Sequence, residues 1–224
     1  ELDRYLARAE ELEIGVLTRI SPGYPADLWS ALGQEAPAVL FYYGDPALFS
    51  RRKISLVGTR EPDAADGAFA REAGAQAARQ GYTLVSGNAR GCDRLGQQAC
   101  LAAGGTVISF LADSLAARRE NAPEGILYCS EGGFDEPFSA QRALSRNRLI
   151  HALGEKVLGI HPRLGVGGTW AGCTENLKRG WSPLFLLADG RPGTEALLER
   201  GAAPVTLEEL RDLAGLTAGQ TRLF

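Results

Sequence analysis

The 224-residue chain has no methionine, two histidines, four cysteines and only three lysines (Lys53, Lys156, Lys178) among its 24 basic residues. The cysteines (Cys92, Cys100, Cys129, Cys173) lie far apart with no C-x-x-C pair. With so few histidines, this argues against a zinc site and fits reduced thiols in a cytoplasmic protein. No apolar run approaches the roughly 18 residues of a membrane helix and no signal-peptide pattern is present, so the chain is expected neither to span nor to cross a membrane by those routes. Methionine is missing even at residue 1, and a trimmed form is expected. The net charge of -3 rules out a globally basic chain, so any polyanion site must be a local patch. Three familiar patterns are also absent: G-x-x-x-x-G-K-[ST], a G-x-G-x-x-G after a strand, and G-x-S-x-G. Their absence disfavours an ATPase, an NAD enzyme and an α/β-hydrolase.

What is present is globular: 45% hydrophobic residues, 28 glycines and 11 prolines, in a chain long enough to bury a core without disulfides or metals. Residues 1–50 form a first section. Leu2, Tyr5, Leu6, Ala9 and Leu12 recur at helical spacing, Ser21–Pro25 breaks the pattern, and a short helix over Ala26–Leu32 precedes an apolar segment Ala38–Tyr43. This section is expected to be a small N-terminal helical cap. From residue 51 to 205, short apolar strands alternate with helices. The strands are expected at Ile54–Val57, Tyr82–Val85, Thr106–Leu111, Ile126–Cys129, Val157–Ile160 and Leu184–Leu187, with helices over Asp66–Gln80 and Asp93–Ala103. Continuous apolar runs suit strands covered on both faces, so the reading is an α/β doubly wound domain with a mostly parallel sheet. Residues 206–224 are expected to supply a C-terminal helix and tail.

Ligands of open parallel sheets bind over the strand-to-helix loops. Four of those loops carry glycine here: Gly58-Thr59-Arg60, Ser86-Gly87-Asn88-Ala89-Arg90-Gly91, Ser130-Glu131-Gly132-Gly133 and Gly165-Val166-Gly167-Gly168-Thr169. Glycines let backbone N–H groups approach an anion, a following helix N-terminus adds a favourable dipole, and arginine offers a fork to phosphate oxygens. Glycine also recurs in such loops because tight turns need it, and the arginine excess has a second explanation in GC-rich codon usage. The pairing of Gly58 and Arg60 with Gly87, Arg90 and Gly91 favours anion binding. The expected site uses phosphate contacts rather than base readout, with no catalytic residue, cofactor or metal.

The loops carry a family likeness. Ser86-Gly87-Asn88-Ala89-Arg90-Gly91-Cys92-Asp93 resembles the S-G-L-A-R-G-I-D signature of the DNA-processing protein DprA (Smf) family. Val57-Gly58-Thr59-Arg60 is similar to its V-G-S-R, Ser130-Glu131 to its S-E, and Arg146-Asn147-Arg148-Leu149-Ile150 to its R-N-R-I-I, within a likeness that covers about residues 20 to 205. The resemblance implies a Rossmann-like, cytoplasmic, homodimeric protein that binds single-stranded DNA, protects it and hands it to a RecA-type recombinase during natural transformation. By position it puts Arg60, Ser86, Gly87, Arg90, Arg146 and Arg148 on the phosphate-binding pocket, with Asn147 holding the loop in shape. The chain departs from the pattern at Asn88 and Cys92, at Gln97-Gln98 where a histidine is expected nearby, and at Ala143-Leu144 in place of Phe-Pro.

A second resemblance supplies the alternative. Gly167-Gly168-Thr169 followed by Glu175 is similar to the P-G-G-x-G-T-x-x-E motif of the LOG-type nucleotide phosphoribohydrolases, which would make the chain a nucleotide-binding sensor or hydrolase. Here the glutamate falls six residues after the threonine, which on a helix turns it away from the loop. His151 and His161 are read as structural, Trp170 as a candidate for base stacking, Trp181 as core, and Asp93 as a cap of its own helix. Asp113, Glu131 and Asp93 would bind a metal only if they converged. Arg51-Arg52-Lys53 reads as a solvated basic run.

Overall fold

The computed structural model describes residues 1–218, and the last six residues of the expected tail lie outside that range. Nine strands form one sheet: β1 (Gly15–Thr18), β2 (Val39–Tyr43), β3 (Lys53–Gly58), β4 (Thr83–Ser86), β5 (Thr106–Phe110), β6 (Ile126–Ser130), β7 (Val157–Ile160), β8 (Leu184–Leu187) and β9 (Ala203–Val205). The helices are α1 (Leu2–Glu11), α2 (Ala26–Leu32), α3 (Ala64–Arg79), α4 (Cys92–Ala102), α5 (Leu115–Arg119), α6 (Ala140–Ser145), α7 (Asn147–Leu153), α8 (Gly167–Arg179) and α9 (Pro192–Leu198). The spatial order is β1-β2-β6-β5-β4-β3-β7-β8-β9. From β6 to β9 every neighbouring pair is parallel; β1 and β2 extend the β6 edge in antiparallel register.

Alternation along the strands explains the two-sided core. Ile54, Leu56, Leu84, Val107 and Leu158 face one cluster with Phe69, Ala73 and Ala77 of α3. Their neighbours Val57, Val85, Ile108 and Val157 face the other, with Leu149, Ile150 and Leu153 of α7. Period-two side chains on strands covered by helices on both faces produce this split, and each fully buried Leu, Ile or Val contributes roughly 1.5–3 kcal/mol. A capping box at Asp63 and Asp66 starts α3.

All six expected strands form, each within one residue of its expected ends. The first fifty residues differ from the expected helical cap. They hold α1 and α2, and they also contribute β1 and β2, so the section completes the sheet rather than only covering it. It is also tied down by side chains: the Tyr5 ring stacks on Phe134 with centroids 4.3 Å apart, and the Tyr5 hydroxyl donates to Asp135 at 2.9 Å. After residue 205 the expected helix is only a 3₁₀ turn over Glu209–Asp212. Among the described residues no helix is long and apolar enough to cross a membrane.

Candidate functional site

The chain winds from β3 out to β6 on one side and from β7 out to β9 on the other, so β3 and β7 are neighbours whose connections diverge. Such a switch point opens a crevice at the carboxyl ends of the strands. A cavity of about 700 Å³ lies there, walled by residues 57–61 at the end of β3 and just after it, Ala89, Arg90 and Asp93 after β4, and His161, Arg163 and residues 165–171 after β7. The fourth wall comes from Phe138, Ala140, Ala143, Leu144, Arg146, Asn147 and His151, contributed by α6, α7, the residue between them and the loop before them.

The floor is built around Arg146. It is only 6% exposed, and its Nη2 donates to the Gly87 carbonyl at 2.9 Å. A Cβ at Gly87 would stand 1.6 Å from the guanidinium, so only glycine permits this approach. Buried Asp93 holds the same loop from below, accepting the N–H groups of Gly87 at 3.1 Å and Ala89 at 3.3 Å. Asp93 therefore braces the β4 loop instead of capping α4, whose N-cap is Gly91 at φ +89°. Burial lowers the Arg146 pKa and raises that of Asp93, and the two opposite charges oppose both shifts. The Arg146 Nε is buried with no hydrogen-bond partner among the described residues. A floor cation with an unmet donor is suited to an anion placed above it.

The mouth carries three more arginines. Arg60 and Arg163 are exposed on the cavity wall without a carboxylate at ion-pair distance among the described residues, and Arg90 meets only Glu61 at 3.3 Å, with both side chains more than 70% exposed. Between them, Phe138, Leu144 and Val166 stand as exposed apolar rim residues. Opposite the floor, α8 begins at Gly167 with no side chain capping its first N–H groups. Asn147 pins this turn by donating from Nδ2 to the Gly168 carbonyl at 3.2 Å.

Of the residues expected at the site, Gly58, Arg60, Arg90, Arg146, Asn147, Gly167, Gly168 and Thr169 line one cavity. Ser86, Gly87 and Gly91 lie beneath or beside it: the Ser86 hydroxyl donates to the Leu56 carbonyl, and a Cβ at Gly91 would meet the Thr59 carbonyl at 2.4 Å. Arg148 is elsewhere. Its guanidinium donates to Glu131 at 2.5 and 3.0 Å and to Ser145, which corrects its expected place on the pocket. The β6 loop is likewise outside the cavity lining, so three of the four glycine loops converge, not four.

The other expectations sort by their partners. Asp113 pairs with Arg118 and Glu131 with Arg148, and among the described residues no three potential metal ligands gather. Glu175 turns outward to Arg179 at 2.8 Å, as its spacing implies. Trp170 lines the cavity with Arg200 over its ring at 5.2 Å, whereas Trp181 packs partly buried on the core. Lys53 departs from the expected solvated run: it is buried, with Nζ donating to the carbonyls of Phe49 and Arg51 and pairing with Asp27. Arg163 and Phe138 were not singled out by the sequence, and both histidines, read there as structural, line the cavity. A basic residue three positions past a strand in a glycine-rich loop was the available signal for Arg163.

A doubly wound sheet with an arginine-lined crevice at its switch point defines the class: a Rossmann-like domain. Comparison with known proteins narrows it. The family model for DNA recombination-mediator protein A matches residues 15–214, and the chain belongs to that family, whose curated members include DNA-processing proteins. It is 32% identical over 170 residues to DNA processing protein DprA of Bacillus subtilis, covering 71% of this chain and 56% of that protein, so it spans little more than half of that relative. The structure of DNA processing protein A from Streptococcus pneumoniae superposes with a TM-score of 0.78 at 26% identity, over 96% of this chain and 78% of that one. Helicobacter pylori DNA processing protein A, described for its single-stranded DNA binding mode, superposes with a TM-score of 0.73 at 25% identity, over 89% and 93%.

Proposed function

We propose that this chain binds single-stranded DNA in the switch-point cavity, gripping phosphates with Arg60, Arg90, Arg163 and the floor cation Arg146, aided by the uncapped first turn of α8. The observation that carries this reading is the convergence of three exposed arginines and a buried one with an unmet Nε donor on a crevice that the uncapped first turn of α8 also lines. The apolar rim of Phe138, Leu144 and Val166 offers bases a surface without a hydrogen-bonding code, so little sequence preference is expected. The likeness to the Helicobacter pylori protein supports the same ligand. By family membership the complex would protect DNA strands in the cytoplasm and assist loading of a RecA-type recombinase during transformation, with the chain acting as a homodimer.

Fluorescence anisotropy of labelled oligo-dT across a salt series tests the reading. Four arginines on single-stranded phosphates predict a slope of log affinity against log salt of about -3, since each contributes roughly 0.7. A flat salt response, or no binding at low salt, would exclude it. The LOG-like alternative keeps one supporting observation, the Gly167–Thr169 turn on the cavity wall. It predicts saturable thermal stabilisation by mononucleotides, and hydrolysis would lack the outward-facing Glu175.

A further inference from the structure

The chain has two histidines, both on the wall of this cavity, and their surroundings differ. His151 is completely enclosed on α7, its Nδ1 has no partner among the described residues, and burial pushes its pKa down to about 3. It stays neutral at any working pH. His161 sits just past β7 and is a quarter exposed, with Nδ1 2.8 Å from the Asp66 carboxylate.

The geometry around His161 is over-determined. Its backbone is left-handed at φ +51°, a conformation that non-glycine residues hold only where the surroundings enforce it. Gly193 at the start of α9 enforces it from one side, because a Cβ there would come 1.8 Å from the Pro162 carbonyl. Asp66 enforces it from the other. That carboxylate is fully buried and takes Arg191 Nη1 at 2.8 Å and the Asp63 N–H at 3.1 Å in addition to the imidazole. Burial alone would raise the Asp66 pKa, but the bonds from Arg191, His161 and Asp63 outweigh it and hold the carboxyl below the usual aspartate range. An ionised Asp66 can only accept, so His161 Nδ1 carries a proton and the nitrogen left for the cavity is Nε2.

Neutral His161 therefore offers the cavity a lone pair, and protonated His161 offers it an N–H donor. We infer that His161 is a phosphate-binding residue of the cavity whose Nε2 donates to a phosphate oxygen only in the protonated state, so that DNA binding takes up a proton. Other charges bear on this equilibrium. Asp66 lies behind the ring on α3, and Arg191, which also pairs with Asp63 and Asp189, backs it from the β8–α9 loop. Arg60 and Glu61 share the wall from the β3 loop, and Arg163 shares it from His161's own loop. An arriving phosphate brings negative charge to Nε2 and to the wall arginines together. Across the cavity, neutral His151 adds no titration in this range, and burial raises the Cys92 thiol to about 12.

The inference rests on the DNA-binding reading and is tested separately from it. Oligo-dT lacking terminal phosphates is titrated into the chain between pH 8 and 5.5 while imidazole resonances of both histidines are followed by NMR. Affinity is expected to rise as pH falls, up to about tenfold for a one-unit upward pKa shift on binding, with His161 titrating and His151 silent. His161→Asn, which tolerates the left-handed backbone, is expected to flatten that dependence. A pH dependence unchanged in His161→Asn, or bound DNA with no upward shift of the His161 pKa, would overturn the inference and leave DNA binding intact. If no oligonucleotide binds, the DNA reading fails alone: sulfate, which does not titrate here, is then the probe. A His161 pKa raised by sulfate upholds the phosphate site, and an unmoved one overturns it.

Discussion

Two glycine-rich loop regions lie along the same edge of the sheet, and they treat arginine in opposite ways. Around the β6 loop, Arg118, Arg142 and Arg148 each have a carboxylate, respectively Asp113, Glu136 and Glu131 at 2.5–3.2 Å. Around the switch point, Arg60 and Arg163 have none among the described residues, Arg90 has only an exposed partner, and Arg146 keeps an unmet buried Nε. The first region spends its cations on holding the chain together. The second leaves its exposed cations free of buried carboxylates and one buried Nε donor unmet, although Asp93 offsets the Arg146 charge; an anionic ligand would complete that donor. Glycine and arginine content alone does not separate the two regions; the placement of counter-charges does.

The contrast can be broken from either side. The largest effect is expected from acid at the cavity. A histidine that is neutral in the folded protein and free to protonate when unfolded contributes stability that is present above about pH 6.5 and lost as pH falls toward 3. With a folded pKa of about 3, His151 accounts for about 4 kcal/mol over that window. Urea unfolding at pH 7 and pH 4 should show most of this loss, and His151→Leu should remove it; an equal loss in the variant would assign the acid sensitivity elsewhere. Next, Arg146→Ala strands the Asp93 charge and frees the β4 loop, at a cost of roughly 3 kcal/mol in urea unfolding together with lost DNA affinity. Unchanged stability would show that Asp93 does not need this cation.

Three smaller effects follow from the same counter-charges. Arg148→Ala removes a half-buried ion pair with Glu131 and should cost about 1–2 kcal/mol in thermal unfolding while leaving oligo-dT affinity alone. Arg60→Ala should do the reverse: no change in stability, and about a tenfold loss of affinity with a shallower salt slope by roughly 0.7. Smallest of all, Glu61→Gln frees Arg90 from an exposed pair worth little to the fold, and should raise affinity by about twofold in anisotropy.

How far the sequence carries depends on the residue in question. Apolar runs such as Ile54–Val57 and Leu184–Leu187 announce buried parallel strands because both faces are covered, so the fold class follows, whereas the switch point needs the strand order that only the structure gives. β1 and β9 were not legible: each is short, β1 opens with Gly15, and β9 contains Pro204, admissible only because β9 is an edge. Asn88, which departs from the family's leucine, sits at φ +54°, where asparagine is the tolerant side chain. The glycines and arginines of the loops after β3, β4 and β7 marked them as candidates, and the structure brings the three together on one cavity. Arg148 was grouped with Arg146 because both share one motif; two residues apart on helical backbone they face opposite ways, one inward to Gly87 and one toward Glu131. His161 could not be read from sequence at all, since its importance lies in Asp66, 95 residues away.

The most direct test of the switch-point cavity as the DNA site is to map backbone amide shifts of the labelled protein as oligo-dT is added. The expected result is movement at Gly87, Ala89, Gly91 and Gly167–Thr169, with Gly132 and Gly133 of the β6 loop unmoved. Shifts centred on Gly132, Gly133 and Arg148, with the switch-point amides still, would contradict it.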